Sequence, residues 1–174
     1  MPADSCRRWG FHRLAPDWAE RIAAAAAVRP GELVLDLGAG TGALTWPLAQ
    51  AGARVLAVEL HPARVAALRR RFADHQQVRV VQADVVQFGL PGRPFRVVAN
   101  PPYGLRAQLL RRLLAAHSRM YAADLVLPRA YVNRAVSRGT GRRAWRATTG
   151  LRLPRSAFDP PPPLESAVLR LRRH

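Results

Sequence analysis

The chain has 174 residues, 49% of them hydrophobic, enough to bury one core and to exclude a disordered or collagen-like polymer. All 28 basic side chains are arginines, against 11 acids, and the formal charge of +17 points to a polyanion partner, since arginine forks match phosphate geometry. The single Cys6 excludes an internal disulfide and a cysteine-based zinc site and fits a reducing, cytoplasmic setting, and the early apolar run Ile22–Val28 is too short to span a bilayer.

In chain order, residues 1–15 read as a flexible N-terminal segment. Pro16–Val28 reads as a helix, ended by Arg29-Pro30-Gly31. Leu33–Leu37 is a short apolar run, so a buried strand. Thr41–Gln50 is helical, Arg54–Glu59 a second strand, and Pro62–Phe72 a helix whose Pro62 sits in the first turn, where the missing amide costs nothing. Val78–Gln82 and Phe95–Ala99 are strands, Leu105–Ala115 is a helix, and Asp124–Leu127 is a fifth strand. Residues 138–143 read as a mobile basic loop, Ala144–Leu153 and Ser166–Leu171 as two last strands, and Asp159–Pro163 as a stiff connector. Strands alternating with helices predict an α/β fold: one doubly wound, mostly parallel seven-stranded sheet with helices on both faces. Charge is uneven along it. Residues 1–100 carry +5 and residues 101–174 carry +12, so the second part is the expected polyanion face.

Asp36-Leu37-Gly38-Ala39-Gly40-Thr41-Gly42 follows the first buried strand and opens a helix. Gly38, Gly40 and Gly42 permit a tight turn with backbone close to a ligand. Such a turn is weak evidence alone, and two acids sharpen it. Glu59 ends the second strand, where a carboxylate can accept from ribose hydroxyls, and Asp84 ends the third, where it can take a donor from an adenine amino group. Leu60 and Val85 adjoin them as further cofactor positions. No lysine follows the loop and Asp36 would repel a pyrophosphate. A ligand with ribose, adenine and a positive centre fits, which describes S-adenosylmethionine. Histidines such as His61 and His75 form no cluster that would suggest a metal.

Asn100-Pro101-Pro102-Tyr103 carries the chemistry. An exocyclic adenine amine is a poor nucleophile because its lone pair is spread into the ring. Two acceptors that hold its hydrogens favour a more reactive nitrogen: the Asn100 side-chain oxygen and the Pro101 carbonyl. Proline has no N–H and a fixed φ, which steadies that carbonyl. Tyr103 can stack on a base taken out of its helix.

Together, Asp36–Gly42, Glu59, Asp84 and Asn100–Tyr103 resemble the S-adenosylmethionine-dependent amino-methyltransferases. The tail Pro154–Phe158, then Pro160, Pro162, Leu164 and Ser166, is similar to the rRNA adenine N6-methyltransferases, specifically the erythromycin-resistance (Erm) group that acts on 23S rRNA, and more distantly to the 16S rRNA dimethyladenosine transferases. The resemblance runs from Trp9 to Leu171. It implies a Rossmann-like methyltransferase sheet, a cytoplasmic monomer acting on 23S rRNA, and resistance to macrolide, lincosamide and streptogramin B antibiotics. It also implies that Asn100 touches cofactor as well as base. The sequence departs from the family in three places. Phe11-His12-Arg13-Leu14 stands where the family has Gln-Asn-Phe-Leu, so His12 and Leu14 are the matching cofactor positions. Pro101 replaces the usual Ile or Leu. The chain stops at His174, so a single domain over 1–174 without the family's small helical C-terminal domain is expected.

Arg106, Arg111, Arg112, Arg134, Arg138, Arg142 and Arg143 are candidate phosphate contacts, and as a group they predict salt-dependent RNA binding. Trp9, Phe11 and Trp145 are candidate base-stacking side chains, whereas Trp18 and Trp46 fall in helical patterns and read as core. The other readings are methylation of 16S rRNA, of DNA adenine or of a protein glutamine, and an RNA-binding protein without catalysis.

Overall fold

The computed structural model describes residues 12–174. Cys6, Trp9 and Phe11 lie outside the described residues, as does most of the segment read as flexible. Its last part is strand β1 (Arg13–Leu14), paired antiparallel with β8 (Phe158–Asp159).

The main sheet has seven strands in the order β4 (Val78–Gln82), β3 (Arg54–Glu59), β2 (Leu33–Leu37), β5 (Phe95–Ala99), β6 (Met120–Pro128), β9 (Ser166–Arg173) and β7 (Trp145–Leu153). The five strands from β4 to β6 are parallel, and β9 runs antiparallel to both neighbours. β2 and β5 lie in the middle, so both faces of each are covered, and their sequences are nearly continuous apolar runs. Side chains alternate across the sheet. Leu35, Leu37, Val97 and Ala99 meet α4 (Arg106–Leu113) and α5 (Arg129–Arg138) on one face. Val34, Val55 and Val98 meet α1 (Pro16–Ala26) and α2 (Thr45–Gln50) on the other. Ala57, on that second face, meets Leu68 of α3 (Pro62–Arg71). This is the expected doubly wound arrangement.

Several boundaries differ from the sequence reading. α2 begins at Thr45 rather than Thr41 because Gly38, Gly40 and Gly42 all take positive φ and hold the preceding residues in turns. Arg138 closes helix α5, which the sequence reading missed. Of that helix only Val132 is fully buried, and one narrow apolar stripe in an arginine-rich segment gives a faint periodic signal. Trp145 is not a surface stacking residue: it is 8% exposed in the core, with Arg173 over its ring. Trp46, read as core, is 36% exposed against His75 and Phe72. Trp18 is half-buried against the core, under Arg21.

One polar cluster lies inside the fold. Asp124, 1% exposed in the middle of β6, is held by Arg96 at 3.1 Å, Arg172 at 3.0 Å and Arg170 at 3.3 Å. Arg96 also lies 3.8 Å from Glu32, which accepts a hydrogen bond from the Tyr121 hydroxyl at 2.6 Å. A buried carboxylate needs such partners, since an unpaired charge in the interior is heavily penalised. Among the described residues, no helix is long and apolar enough to cross a membrane.

Candidate functional site

The carboxyl ends of β2, β3 and β5 and the loop after β4 open onto one cleft of about 390 Å³. In an open parallel sheet this is where the chain diverges to opposite faces and leaves a crevice. The cleft gathers His12, Leu14, Asp36, Gly38, Glu59, Leu60, Asp84, Val85, Asn100, Pro101 and Tyr103, from segments up to 91 residues apart.

The glycine loop is built by backbone hydrogen bonds. The N–H groups of Gly38 and Ala39 both donate to the Val58 carbonyl, at 2.8 and 3.0 Å, which carries the β2–β3 pairing past the strand end. Gly38, at φ +80°, rests against the other motif: a Cβ there would lie 3.0 Å from Pro102 Cδ and 3.6 Å from Pro101 Cα. The two sequence motifs therefore touch, and only glycine fits between them. Gly40 and Gly42 do not line the cleft, contrary to the sequence reading. Gly40 turns its N–H to Glu59, and Gly42 packs below the loop, where a Cβ would come within 2.8 Å of the Phe72 ring.

Glu59 is 5% exposed and holds the loop ends together. Its Oε2 accepts from Gly40 N–H at 2.8 Å, and its Oε1 accepts from Leu60 N–H at 3.0 Å and His61 N–H at 2.9 Å. Arg64, on the first turn of α3, lies 3.9 Å from Oε1. A carboxylate offers about four acceptor positions, so three are taken by backbone and roughly one, on Oε2, is left for a ligand. Glu59 is thus less open than a free strand-end acid. Asp36 lies 2% exposed and accepts from the Thr45 hydroxyl at 2.7 Å. Burial pushes its carboxyl up to about 7, the Thr45 bond opposes this, and the charge of Glu59 adds to it. Thr45 was not singled out in the sequence; its place, nine residues after Asp36 at a helix start, was the available signal. Asp84 spends Oδ1 on Val86 N–H at 2.8 Å, capping the loop after β4. Three carboxylates in one cleft, in a chain of charge +17, suit a ligand with a positive centre.

At the rim, Asn100 is oriented by the N-terminal strand. Its Nδ2 donates to the His12 carbonyl at 2.8 Å. A carbonyl only accepts, so the amide nitrogen belongs on that side, and Oδ1 remains without a described partner. The Pro101 carbonyl likewise accepts no described hydrogen bond. His12 Nδ1 sits 2.9 Å from the Pro160 carbonyl, and its ring is 5.9 Å from that of Tyr103. The Tyr103 hydroxyl meets Ser166 Oγ at 2.6 Å, and burial raises the phenol above its usual value while this bond opposes the shift. Ser166, fully buried at the start of β9, thus supports the rim from beneath through Tyr103.

The predicted phosphate contacts separate. Arg106 is at the rim, half-buried, donating to the Tyr103 carbonyl and lying 5.2 Å over the Tyr131 ring. Arg112 is structural: it donates to the carbonyls of Val85 and Phe88 and pins the loop after β4. Arg111 and Arg134 are exposed on α4 and α5. Arg138, Arg142 and Arg143 lie at the opposite end of the sheet, beside the start of β7.

A family model for ribosomal RNA adenine dimethylase matches residues 13–174. The ribosomal RNA small subunit methyltransferase A of Synechococcus sp. (strain JA-3-3Ab) is 33% identical over 184 residues, covering 95% of this chain and 66% of that protein. The protein of that name from Cupriavidus taiwanensis is 31% identical over 179 residues, covering 95% and 65%. The chain spans about two thirds of the length of these curated relatives. Among solved structures, the 23S rRNA methyltransferase ErmE superposes with a TM-score of 0.84 at 27% identity, over 94% of this chain and 70% of that one. A dimethyladenosine transferase from Plasmodium falciparum superposes with 0.81 at 21% identity, covering 94% and 64%, a likeness of fold. The resemblance read from the sequence put 23S enzymes first, whereas these sequence relatives carry the small-subunit name and the 23S enzyme appears as a structural neighbour. With the family model spanning 13–174 and relatives above 30% identity across nearly its whole length, the chain belongs to the ribosomal RNA adenine dimethylase family.

Proposed function

We propose that the chain methylates the N6 amine of adenine in small-subunit (16S) rRNA, with S-adenosylmethionine as donor. The observation that carries this reading is Asn100: its amide nitrogen is held by the His12 carbonyl, which leaves Oδ1, like the carbonyl of the next residue Pro101, without a partner among the described residues, and both residues line the cleft. Two adjacent acceptors at the mouth of an acid-lined cleft are what an adenine amine needs. They take its two hydrogens and localise the lone pair on nitrogen for attack.

Asp36, Glu59 and Asp84 are the residues that fit the donor. Asp36 offers a buried carboxyl whose ionisation a positive centre would favour, Glu59 Oε2 an acceptor for a ribose hydroxyl, and Asp84 Oδ2 an acceptor for an adenine amine. When bound, S-adenosylmethionine supplies an electrophilic methyl group. Tyr103, its hydroxyl fixed on Ser166, presents a ring face to an extruded base. No residue need remove a proton before transfer, because the methylated amine is cationic and loses its proton readily; catalysis by these residues is mostly positioning. The family's description as a dimethylase supports two methyl groups on one nitrogen.

The small-subunit target follows the names of the sequence relatives. The 23S target, with macrolide, lincosamide and streptogramin B resistance, is the second reading and draws on the likeness to ErmE. Radiolabelled methyl transfer to separate 16S and 23S transcripts, with primer extension to locate the product, tests both. Label on 16S alone is expected; label on 23S alone would replace the first reading by the second, and no label on either would refute both.

A further inference from the structure

Ser166 meets Tyr103 at the cleft, and β9 runs from there to Arg173, roughly 23 Å away at ~3.3 Å per residue. Several segments meet at that far end. Phe95 N–H donates to the Arg119 carbonyl at 3.3 Å, and Trp145 N–H donates to the Arg142 carbonyl at 3.0 Å. Arg173 pairs with Trp145 across the strands and donates to the Ser118 carbonyl at 3.2 Å. α5 ends at Arg138 and leads into the same corner.

Arg119, Arg138, Arg142, Arg143 and Arg146 are therefore neighbours by connectivity, and all five are exposed. Among the described residues none of them has a carboxylate within ion-pair distance. The acidic side chains of β6 and of the turn before β2 are already engaged: Asp124 by three arginines, and Glu32 by Arg96 and Tyr121. A run of unpaired like charges repels itself unless a polyanion neutralises it. The cleft holds the base-sized site, yet these cations are a strand-length from it.

Resting on the reading that the substrate is ribosomal RNA, we propose that this end of the sheet is a second RNA-binding face, which grips backbone phosphates of a segment roughly 23 Å from the base held at the cleft. Substrate is then held at two points, and an RNA too short to reach both binds through the cleft alone.

The test replaces Arg138, Arg142 and Arg143 together by alanine, and separately by lysine. Two substrates carry the mapped target adenine: a stem-loop too short to reach the far end, and a long 16S fragment. Each lost phosphate contact lowers the salt slope of binding by roughly 0.7–0.9, so the alanine variant should lose about 2 from its slope on the long RNA. Between 50 and 200 mM salt the wild type then loses roughly 16-fold more affinity than the variant. The ratio of KM for long over short RNA should rise at least fivefold, and the lysine variant should keep the wild-type slope. Equal slopes and equal KM ratios for wild type and alanine variant would show only a solvated basic face and overturn the proposal. A lysine variant as impaired as the alanine one would also overturn it. If wild type methylates no rRNA but the slopes still differ, the methylation reading fails and the second face stands.

Discussion

Glu59→Gln tests the arrangement of the cleft at its most connected atom. The wild-type carboxylate accepts three backbone N–H groups at 2.8–3.0 Å while 5% exposed. Glutamine has the same shape but only one acceptor oxygen. Turned to keep the Leu60 and His61 bonds, it presents its NH2 to Gly40 N–H, donor against donor. One charge-assisted bond is lost and the Gly40 amide is left unpaired in the interior. Hydrogen bonds to charged groups contribute about 1.5–3 kcal/mol, so a loss of roughly 3 kcal/mol is expected. For a domain of this size that is roughly 6–12 °C in Tm. Calorimetry measures the stability, and a titration of S-adenosylmethionine should show weaker binding, because the glycine loop is no longer tied to β3. Asp36 should also ionise at lower pH, since the charge of Glu59 helps hold it near 7. A variant that melts within about 2 °C of wild type and binds donor equally well would refute the account of Glu59 as the tie of the loop.

Asn100→Ala should lower kcat by about 10²–10³, the cost of one missing aligned polar group, with RNA affinity within twofold by filter binding; unchanged turnover would refute its role. Ser166→Ala leaves the Tyr103 hydroxyl without its partner, so transfer should fall about fivefold, for a bond contributing ~1 kcal/mol, in single-turnover assays; a rate equal to wild type would disconnect Ser166 from the rim. Asp124→Ala strands Arg96, Arg170 and Arg172 around a missing charge and should cost about 3–5 kcal/mol, read by urea unfolding, where a loss of unfolding free energy below ~1 kcal/mol would contradict the network. Asp36 has a folded value of about 7 against 3.8 in the open chain, so its contribution to stability is greatest below about pH 4 and is lost as pH rises to about 7, by up to roughly 4 kcal/mol. Asp36→Asn, which keeps an acceptor for Thr45, should remove that slope; a difference between wild type and variant that stays flat from pH 4 to 8 would show Asp36 ionised throughout.

The local chemistry was legible from the chain alone. Apolar runs at Leu33–Leu37 and Phe95–Ala99 marked buried parallel strands because both faces of a central strand must be covered. Glycine spacing and strand-end acids pointed to the crevice that forms at the carboxyl end of the sheet, and Asn100–Tyr103 to the two acceptors proposed to hold an amine, because these depend on residue type at short spacing. What only the tertiary structure decided involves partners far apart in sequence. The amide of Asn100 is aimed by the carbonyl of His12, 88 residues earlier, and Tyr103 is fixed by Ser166, 63 residues later. Glu59 spends most of its acceptors on the loop, and Arg112 on carbonyls, though in sequence each looks like a free charge. Helix α5 carries the chain back from the cleft end of β6 to the start of β7, which puts Arg138, Arg142 and Arg143 at the end away from the cleft. Side-chain type follows from the sequence, but which hydrogen-bonding positions remain open depends on neighbours that only folding brings within 3 Å.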